Sequence, residues 1–214
     1  MTSALRSVIL GAGGHARVVL DAMRSRGLVL PECALDSGMA GASIDGIPVE
    51  GGDELLPQLA AKGITHFILG IGGLGSSPLR PQIWEKAVGA GLAPLGVFHA
   101  EALVAESASV GAGAQVLARA VVNAGACIGK GSIVNTSAVV EHDCRVGDFC
   151  HLAPMSCLGG GVSVGDSSHI GLGAVVREYR KIGSSTIVGT GAAVICDLPD
   201  MCTAVGVPAK PVVS

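Results

Sequence analysis

The sequence predicts an α/β, half-Rossmann-like N-terminal domain followed by a parallel β-helix built from six-residue repeats. Three observations lead there. Strand and helix signals alternate over residues 1–96. From Phe98 to Val194 every sixth residue is apolar and none of these is alanine. Glycine is abundant (33 of 214 residues) while aromatic residues are three Phe, one Tyr and one Trp, which favours tight corners and thin layers over a thick core. The boundaries read as 1–96 for the α/β domain, 97–199 for the β-helix and 200–214 for a C-terminal tail.

Composition excludes several classes. A net charge of −3 offers no basic footprint for nucleic acid. Mean hydropathy is +0.58, yet no run of 18 apolar residues exists, so no membrane span is expected. The N-terminus lacks the charged start and long apolar run of a secretory leader. Seven cysteines, an odd number without a CxxC pair, read as reduced thiols in a cytoplasmic protein.

The α/β half runs in order. "SVILGAG" (7–13) is a short buried strand ending in a glycine turn. "HARVVLDAMRSRG" carries helical spacing at Val18, Val19, Ala22 and Met23 and stops at Gly27. "ECALD" (32–36) and "THFILGIGG" (65–73) are further strands, and a helix follows near "LRPQIWEKAVGAG". Gly11, Gly13 and Ala16 match G-x-G-x-x-A, and Asp36 ends the next strand where a ribose-binding acid would sit. Such glycines let a backbone approach a pyrophosphate at a helix N-terminus. About 96 residues fit one mononucleotide half, so a nucleotide diphosphate other than NAD is the better match. His15, inside the loop, is either solvated or within reach of that ligand.

The β-helix half rests on register. The six-residue series Phe98, Val104, Val110 … Val194 supplies the large inward position. Four residues after each member from Val104 to Val188 comes a small residue, with Arg180 the one exception, and the corner there is expected to bulge outward. One large and one small inward position per six residues is the hexapeptide signature. Gly111, Gly129, Gly147, Gly165 and Gly183 recur at intervals of 18, giving three hexapeptides per coil and a little over five coils. Coils stack at about 4.8 Å, each stabilised by its neighbours.

The register sorts the densest stretch, "VVEHDCRVGDFCHLAPMSCLGGG" (139–161). Cys144 and Cys150 take the small inward position and read as core, with raised thiol pKa. Cys157 lies off that position, which leaves a covalent role open. His151 and His169 are one coil apart; zinc would need a third convergent ligand, and His142 falls at a different place in the repeat, so no metal is expected. His142 sits at a corner, flanked by Glu141 and Asp143, with Gly160 one coil on. A base on one coil and an open amide on the next suit acyl transfer, and Asp143 would fix the imidazole tautomer. Leu172 and Thr190, also 18 apart, mark glycine-flanked corners on a second edge. They suit either an extended pantetheine arm or plain tight turns.

On "GAGGHA", "VVEHDCRVGDFCHLAP", "GGGVSVG" and the terminal "GVPAK", the whole chain resembles bacterial nucleotide-sugar N-acetyltransferases. Perosamine N-acetyltransferases and the UDP-4-amino-sugar N-acetyltransferases of the bacillosamine pathway carry the resemblance, and sialic acid O-acetyltransferases are similar too. The resemblance implies a left-handed β-helix, against the general preference for right-handed crossovers. It implies acetyl-CoA as co-substrate and transfer to the 4-amino group of a nucleotide-linked 4-amino-4,6-dideoxy sugar. It makes His142 the general base, Asp143 its partner in raising basicity, and the Gly160 amide the oxyanion donor. It places His151, Leu172, Thr190 and Lys210 against acetyl-CoA, and Gly13, Gly14, His15 and Asp36 against the nucleotide sugar. It implies a homotrimer with each active site between two β-helices. Two departures stand out: Gly72 and Gly73 where Asn or Asp is usual, and His99-Ala100 where His-Pro is usual. The rival readings are a sialic-acid-type O-acetyltransferase, a zinc β-helix hydratase and a non-enzymatic scaffold.

Overall fold

The computed structural model describes residues 5–73 and 77–212. The chain divides into two compact units: Met1–Gly72 with Pro78–Val97, and Gly73–Ser77 with Phe98–Ser214. In the segment "GIGGLGSSPLR" (70–80), which holds the Gly72-Gly73 departure, residues 74–76 lie outside the described residues.

The first unit is built on a six-stranded sheet. Its elements are β1 (Ser7–Leu10), α1 (Gly14–Ser25), β2 (Cys33–Leu35), β3 (Ser43–Ile44), β4 (Ile47–Gly51), α2 (Leu56–Ala61), β5 (His66–Leu69), α3 (Leu79–Gly89) and β6 (Ala93–Pro94). The strand order is β3-β4-β2-β1-β5-β6, parallel except for the β3–β4 pair. β1 lies between β2 and β5, and its uninterrupted apolar run is buried because both neighbours and both faces are covered. The buried stripe of α1 is Ala16, Val19, Leu20, Ala22 and Met23: the helical spacing placed Val19, Ala22 and Met23 correctly, whereas Val18 is exposed. The β3–β4 hairpin is not among the predicted elements. Its signal is Asp45-Gly46 between Ile44 and Ile47, both turn residues having positive φ (47° and 87°), the requirement of a two-residue turn of the favoured twist.

The second unit is a left-handed parallel β-helix whose two-residue strands form three faces. Strands Val121–Val122, Val139–Val140, Cys157–Leu158, Val175–Val176 and Ala193–Val194 pair in parallel at a constant step of 18 residues. These form the second face; the first face repeats the step through His151↔His169 and the third through Ser163↔Lys181. From Ala114 onward the large inward residues are buried, and small ones such as Ala120, Ala138 and Ala174 wholly so, in one continuous core, against which Phe98, Val104 and Val110 of the first coil pack partly buried. Most polar atoms admitted to that core are matched, although Ser156 Oγ is buried without a partner. Ser132 Oγ donates to Gly147 O (2.8 Å), Ser168 Oγ to Gly183 O (2.7 Å), and the Cys144 and Cys150 thiols donate to the carbonyls of Gly159 and Gly165 (3.2 and 3.1 Å). Both cysteines are therefore packing, and burial pushes the Cys144 thiol pKa up.

From Gly113 to Gly191 each corner is a two-residue turn whose second residue has φ near +60°, whether glycine (Gly125, Gly161) or not (Asp143, Tyr179). The expected outward bulge at Arg180 does not occur. Lys181 keeps the 18-residue step to Ser163, and Arg180 O accepts from Ser163 N at 2.9 Å. The guanidinium instead turns to Asp197 (3.4 Å) and to Glu178 O (3.3 Å), which it can reach because only a shortened coil follows. That coil steps 16 residues (Ile182↔Leu198, Ile187↔Thr203) and continues the first face through Thr203–Val205, with Lys210–Pro211 antiparallel beside it.

Candidate active site

The corner after Val139–Val140 carries His142 and Asp143. Neighbouring side chains diverge along a strand, but here Asp143 adopts φ +60° and folds its carboxylate back on the ring. Asp143 Oδ2 lies 2.9 Å from His142 Nδ1. A carboxylate only accepts, so Nδ1 carries the proton and Nε2 presents its lone pair. The pair is open to solvent, with side-chain exposures of 51% and 71%. Below it, Gly125 leaves room for the Asp143 carboxylate: a Cβ there would lie 2.7 Å from Asp143 Oδ1.

The corner's backbone is held by a ladder the motif reading passes over. Asn123 Oδ1 accepts from Ala124 N (2.9 Å) and its Nδ2 donates to Glu141 Oε2 (3.1 Å), which also accepts from His142 N (3.1 Å). The 18-residue spacing of Asn123 and Glu141 is the sequence signal for this.

One coil above His142 lies Gly160. A Cβ on Gly160 would fall 2.6 Å from His142 Cε1 and nearer still to Nε2, so the ring occupies space that only glycine leaves. Gly160 O accepts from Tyr179 N (2.9 Å) and Gly161 N donates to His142 O (2.8 Å), whereas the Gly160 N–H has no acceptor among the described residues. Some corner amides are capped (Lys130 N donates to Asp148, Thr136 N to Asn135, Asp148 N to Asp166 and Ser184 N to Asp200), whereas those of Ala112, Ala118 and Asp166, like that of Gly160, have no acceptor among the described residues. Leu172 and Thr190, on the edge bordering the first face, likewise have amides without an acceptor among the described residues, and Leu172 is 50% exposed.

His151 is placed differently. It points outward from the first face yet is buried, donating from Nδ1 to Gly73 O (2.7 Å) and accepting at Nε2 from Asn135 Nδ2 (3.0 Å). Its ring stacks edge-on against His169 (centroids 5.0 Å apart). With both nitrogens of His151 engaged and His142 on another edge, no three His, Cys, Asp or Glu side chains gather as metal ligands among the described residues. Cys157 is half-buried, and burial raises its thiol pKa, which disfavours the thiolate a nucleophile requires. His99 Nδ1 accepts from Glu101 N at 3.0 Å. Lys210 is exposed on the last strand.

In the first unit the glycine loop joins β1 to α1. Gly11 (φ +98°) is required by the fold, since a Cβ would meet Ile71 Cγ1 at 2.6 Å. Gly13 and Gly14 are exposed and a Cβ on either would meet nothing within 4 Å, so the chain's own packing does not demand them. α1 begins with no side-chain cap and no acidic residue in its first turn, which leaves its positive end available to an anion. Asp36 is already engaged: Oδ2 accepts from Ala12 N (3.0 Å) and Oδ1 from Gly38 N (3.1 Å), so it ties the glycine loop to the end of β2. Gly72 packs against the start of α1, where a Cβ would come within 3.3 Å of His15 Cβ. A larger residue at 72 would displace His15.

A family model described as the PglD N-terminal domain matches residues 6–87. Among solved structures, a mutant of perosamine N-acetyltransferase from Caulobacter crescentus, in complex with CoA and GDP-perosamine, superposes with a TM-score of 0.92. It is 40% identical over 97% of this chain and 97% of that one. PerB from Caulobacter crescentus, in complex with the same two ligands, gives 42% identity, 97% coverage of both chains and a TM-score of 0.91. The acetyltransferase domain of PglB from Neisseria gonorrhoeae gives 36% identity, covering 97% of this chain and 100% of that one, with a TM-score of 0.90. On an identity of 40% across nearly the whole of both chains, joined to the hexapeptide coil and the glycine loop, this chain belongs to the hexapeptide-repeat nucleotide-sugar acetyltransferase family.

Proposed function

We propose that this enzyme transfers acetyl from acetyl-CoA to the 4-amino group of a nucleotide-linked 4-amino-4,6-dideoxy sugar. The observation that carries this reading is the Nε2 lone pair of His142 facing Gly160, whose amide is unspent. The free amine attacks the thioester carbonyl carbon, and the Gly160 N–H donates to the oxygen as it gains charge. Collapse of the tetrahedral intermediate breaks the C–S bond. The amine's proton passes to His142 Nε2, which returns it to solvent at the half-exposed corner, and the departing CoA thiolate takes a proton from solvent. Asp143 keeps Nδ1 protonated, so the lone pair stays on the reacting side.

Gly13, Gly14 and His15, at the uncapped start of α1, receive the nucleotide diphosphate, with Asp36 holding the loop in shape. The open amides at Leu172 and Thr190 suit the amide groups of a pantetheine arm, with Lys210 toward the nucleotide end of CoA and His151 as a buried support for the coils between. The domain assignment follows: 1–96 for the nucleotide sugar, 97–199 for acetyl-CoA, 200–214 as tail.

A homotrimer completes the reading. The outward residues of the second face are Leu103, Val121, Val139, Cys157, Val175 and Ala193, whereas those of the third are Ser109, Cys127, Arg145, Ser163 and Lys181. An unbroken apolar ladder on one face of three suits a closed head-to-tail ring of identical chains. No helix among the described residues is long and apolar enough to cross a membrane, and the cytoplasm, where acetyl-CoA and reduced thiols coexist, is the compartment this chemistry needs.

The deciding experiment is a thiol-release assay with acetyl-CoA against GDP- and UDP-linked 4-amino-4,6-dideoxy sugars, with GDP-perosamine first because it is the ligand of the Caulobacter relative. Acetyl transfer only to a sugar hydroxyl, or none to any amine in the panel, would overturn the proposal.

A further inference from the structure

One coil beyond Gly160 stands the chain's only tyrosine. Tyr179 takes the φ +56° position of its corner and remains 67% exposed. Its ring lies across Gly161: a Cβ there would meet Tyr179 Cδ1 at 2.6 Å and Cε1 at 2.7 Å. The His142 ring stands in the same relation to Gly160 from the coil below. Gly160-Gly161 is therefore the floor of a trough with an imidazole wall on one side and a phenol wall on the other. The charged side chains of the Tyr179 corner are engaged elsewhere: Arg177 Nε donates to Glu178 Oε1 (3.2 Å), and Arg180 pairs with Asp197 on the following coil. The phenol is left as the corner's unspent group.

We infer that Tyr179 is the acetyl-CoA-side wall of the active site, holding the thioester end of the pantetheine arm by ring contact. The inference rests on the acetyl-transfer reading above. With the oxyanion on the Gly160 amide and the incoming amine beside His142, the sulfur leaves on the side away from the base. That side is the next coil, where Tyr179 stands, and the open amides of Leu172 and Thr190 also belong to later coils than His142. A flat exposed ring beside two glycines fits an alkyl thioester, which offers no charge to bind and is gripped by contact area.

The test uses Tyr179→Gly, which removes the ring and suits a positive φ, and Tyr179→Phe, which keeps the ring and removes the hydroxyl. Tyr179→Asn, also tolerant of this backbone region, serves if glycine loosens the corner. Each variant is titrated with coenzyme A by calorimetry and assayed with both substrates. Tyr179→Gly should weaken coenzyme A binding and raise KM for acetyl-CoA about tenfold, the effect of removing a modest apolar contact. The acceptor KM should stay unchanged, and Tyr179→Phe should match the wild type. Unchanged coenzyme A affinity in Tyr179→Gly, or a rise confined to the acceptor KM, overturns the inference while leaving the acetyl-transfer reading intact. Wild-type protein that binds no coenzyme A overturns both.

Discussion

The imidazole of His142 fills the space in which a side chain on Gly160 would stand, although the two residues belong to successive coils of the solenoid. The fold sets this contact directly, since a step of 18 residues returns the chain to the same corner one strand spacing higher. The base and the amide donor are thus held by the same ladder of backbone hydrogen bonds that holds the core.

Gly160→Ala should therefore act through His142. The new methyl group pushes the ring away, which the half-exposed His142 can accommodate without unfolding the coil. The expected result is a kcat lowered about 10²-fold, in the range for loss of an oxyanion donor or its alignment, with an unaltered melting transition. Wild-type turnover in Gly160→Ala would show that the ring and the amide do not flank one thioester.

His142→Asn removes the proton acceptor and should lower kcat by about 10²–10⁴ while leaving coenzyme A binding in place. Asp143→Asn keeps the turn but loses the charged partner of Nδ1. A drop of about tenfold is expected there, matching the low end for a hydrogen bond to a charged group. Steady-state assays of both variants at saturating substrates make the comparison, and equal losses would contradict separate roles.

The β-helix was legible residue by residue because a six-residue repeat admits one register, and register alone placed Cys144 inside and His142 at a corner. Glu141, Asn123 and Tyr179 were less legible. Each acts on a residue one coil away, visible only when residues 18 apart are aligned at the turn positions as well as on the strands. Arg180 misled in the opposite sense. The repeat marked it as too large for an inward site, but not that the following coil is shortened and leaves its head a way out to Asp197. In the first unit the glycine loop was plain from spacing. The role of Asp36 was not, because an acid at the end of β2 reads the same whether it binds ribose or ties down Ala12 N. The β3–β4 hairpin rested on a single Asp-Gly pair.

Leu158 occupies a large inward position and is wholly buried between coils. Leu158→Ala should cost about 2–5 kcal/mol, the range for a leucine truncated in a packed interior. Its neighbours are Val140 below and Val176 above, so the loss weakens contacts with both adjacent coils at once. Chemical denaturation should show the midpoint shifted down; a midpoint within error of the wild type would mean the interior closes over the cavity.

His169 gives the stability a pH dependence of known sign. Burial depresses its pKa below the ordinary 6.5, and Nδ1 is buried without a hydrogen-bond partner. The unfolded chain then binds the proton more readily than the folded one, so stability rises with pH through this interval. The contribution is complete above 6.5, falls as pH drops below it, and levels off once the folded imidazole is itself protonated. Protonation would also set a charge against the edge of His151, whose Nδ1–H is committed to Gly73 O. Melting temperatures of the wild type should therefore decline between about pH 7 and pH 5, as expected for a histidine buried neutral, and His169→Phe should remove that part of the decline. A variant with the full wild-type slope would assign the dependence to other groups.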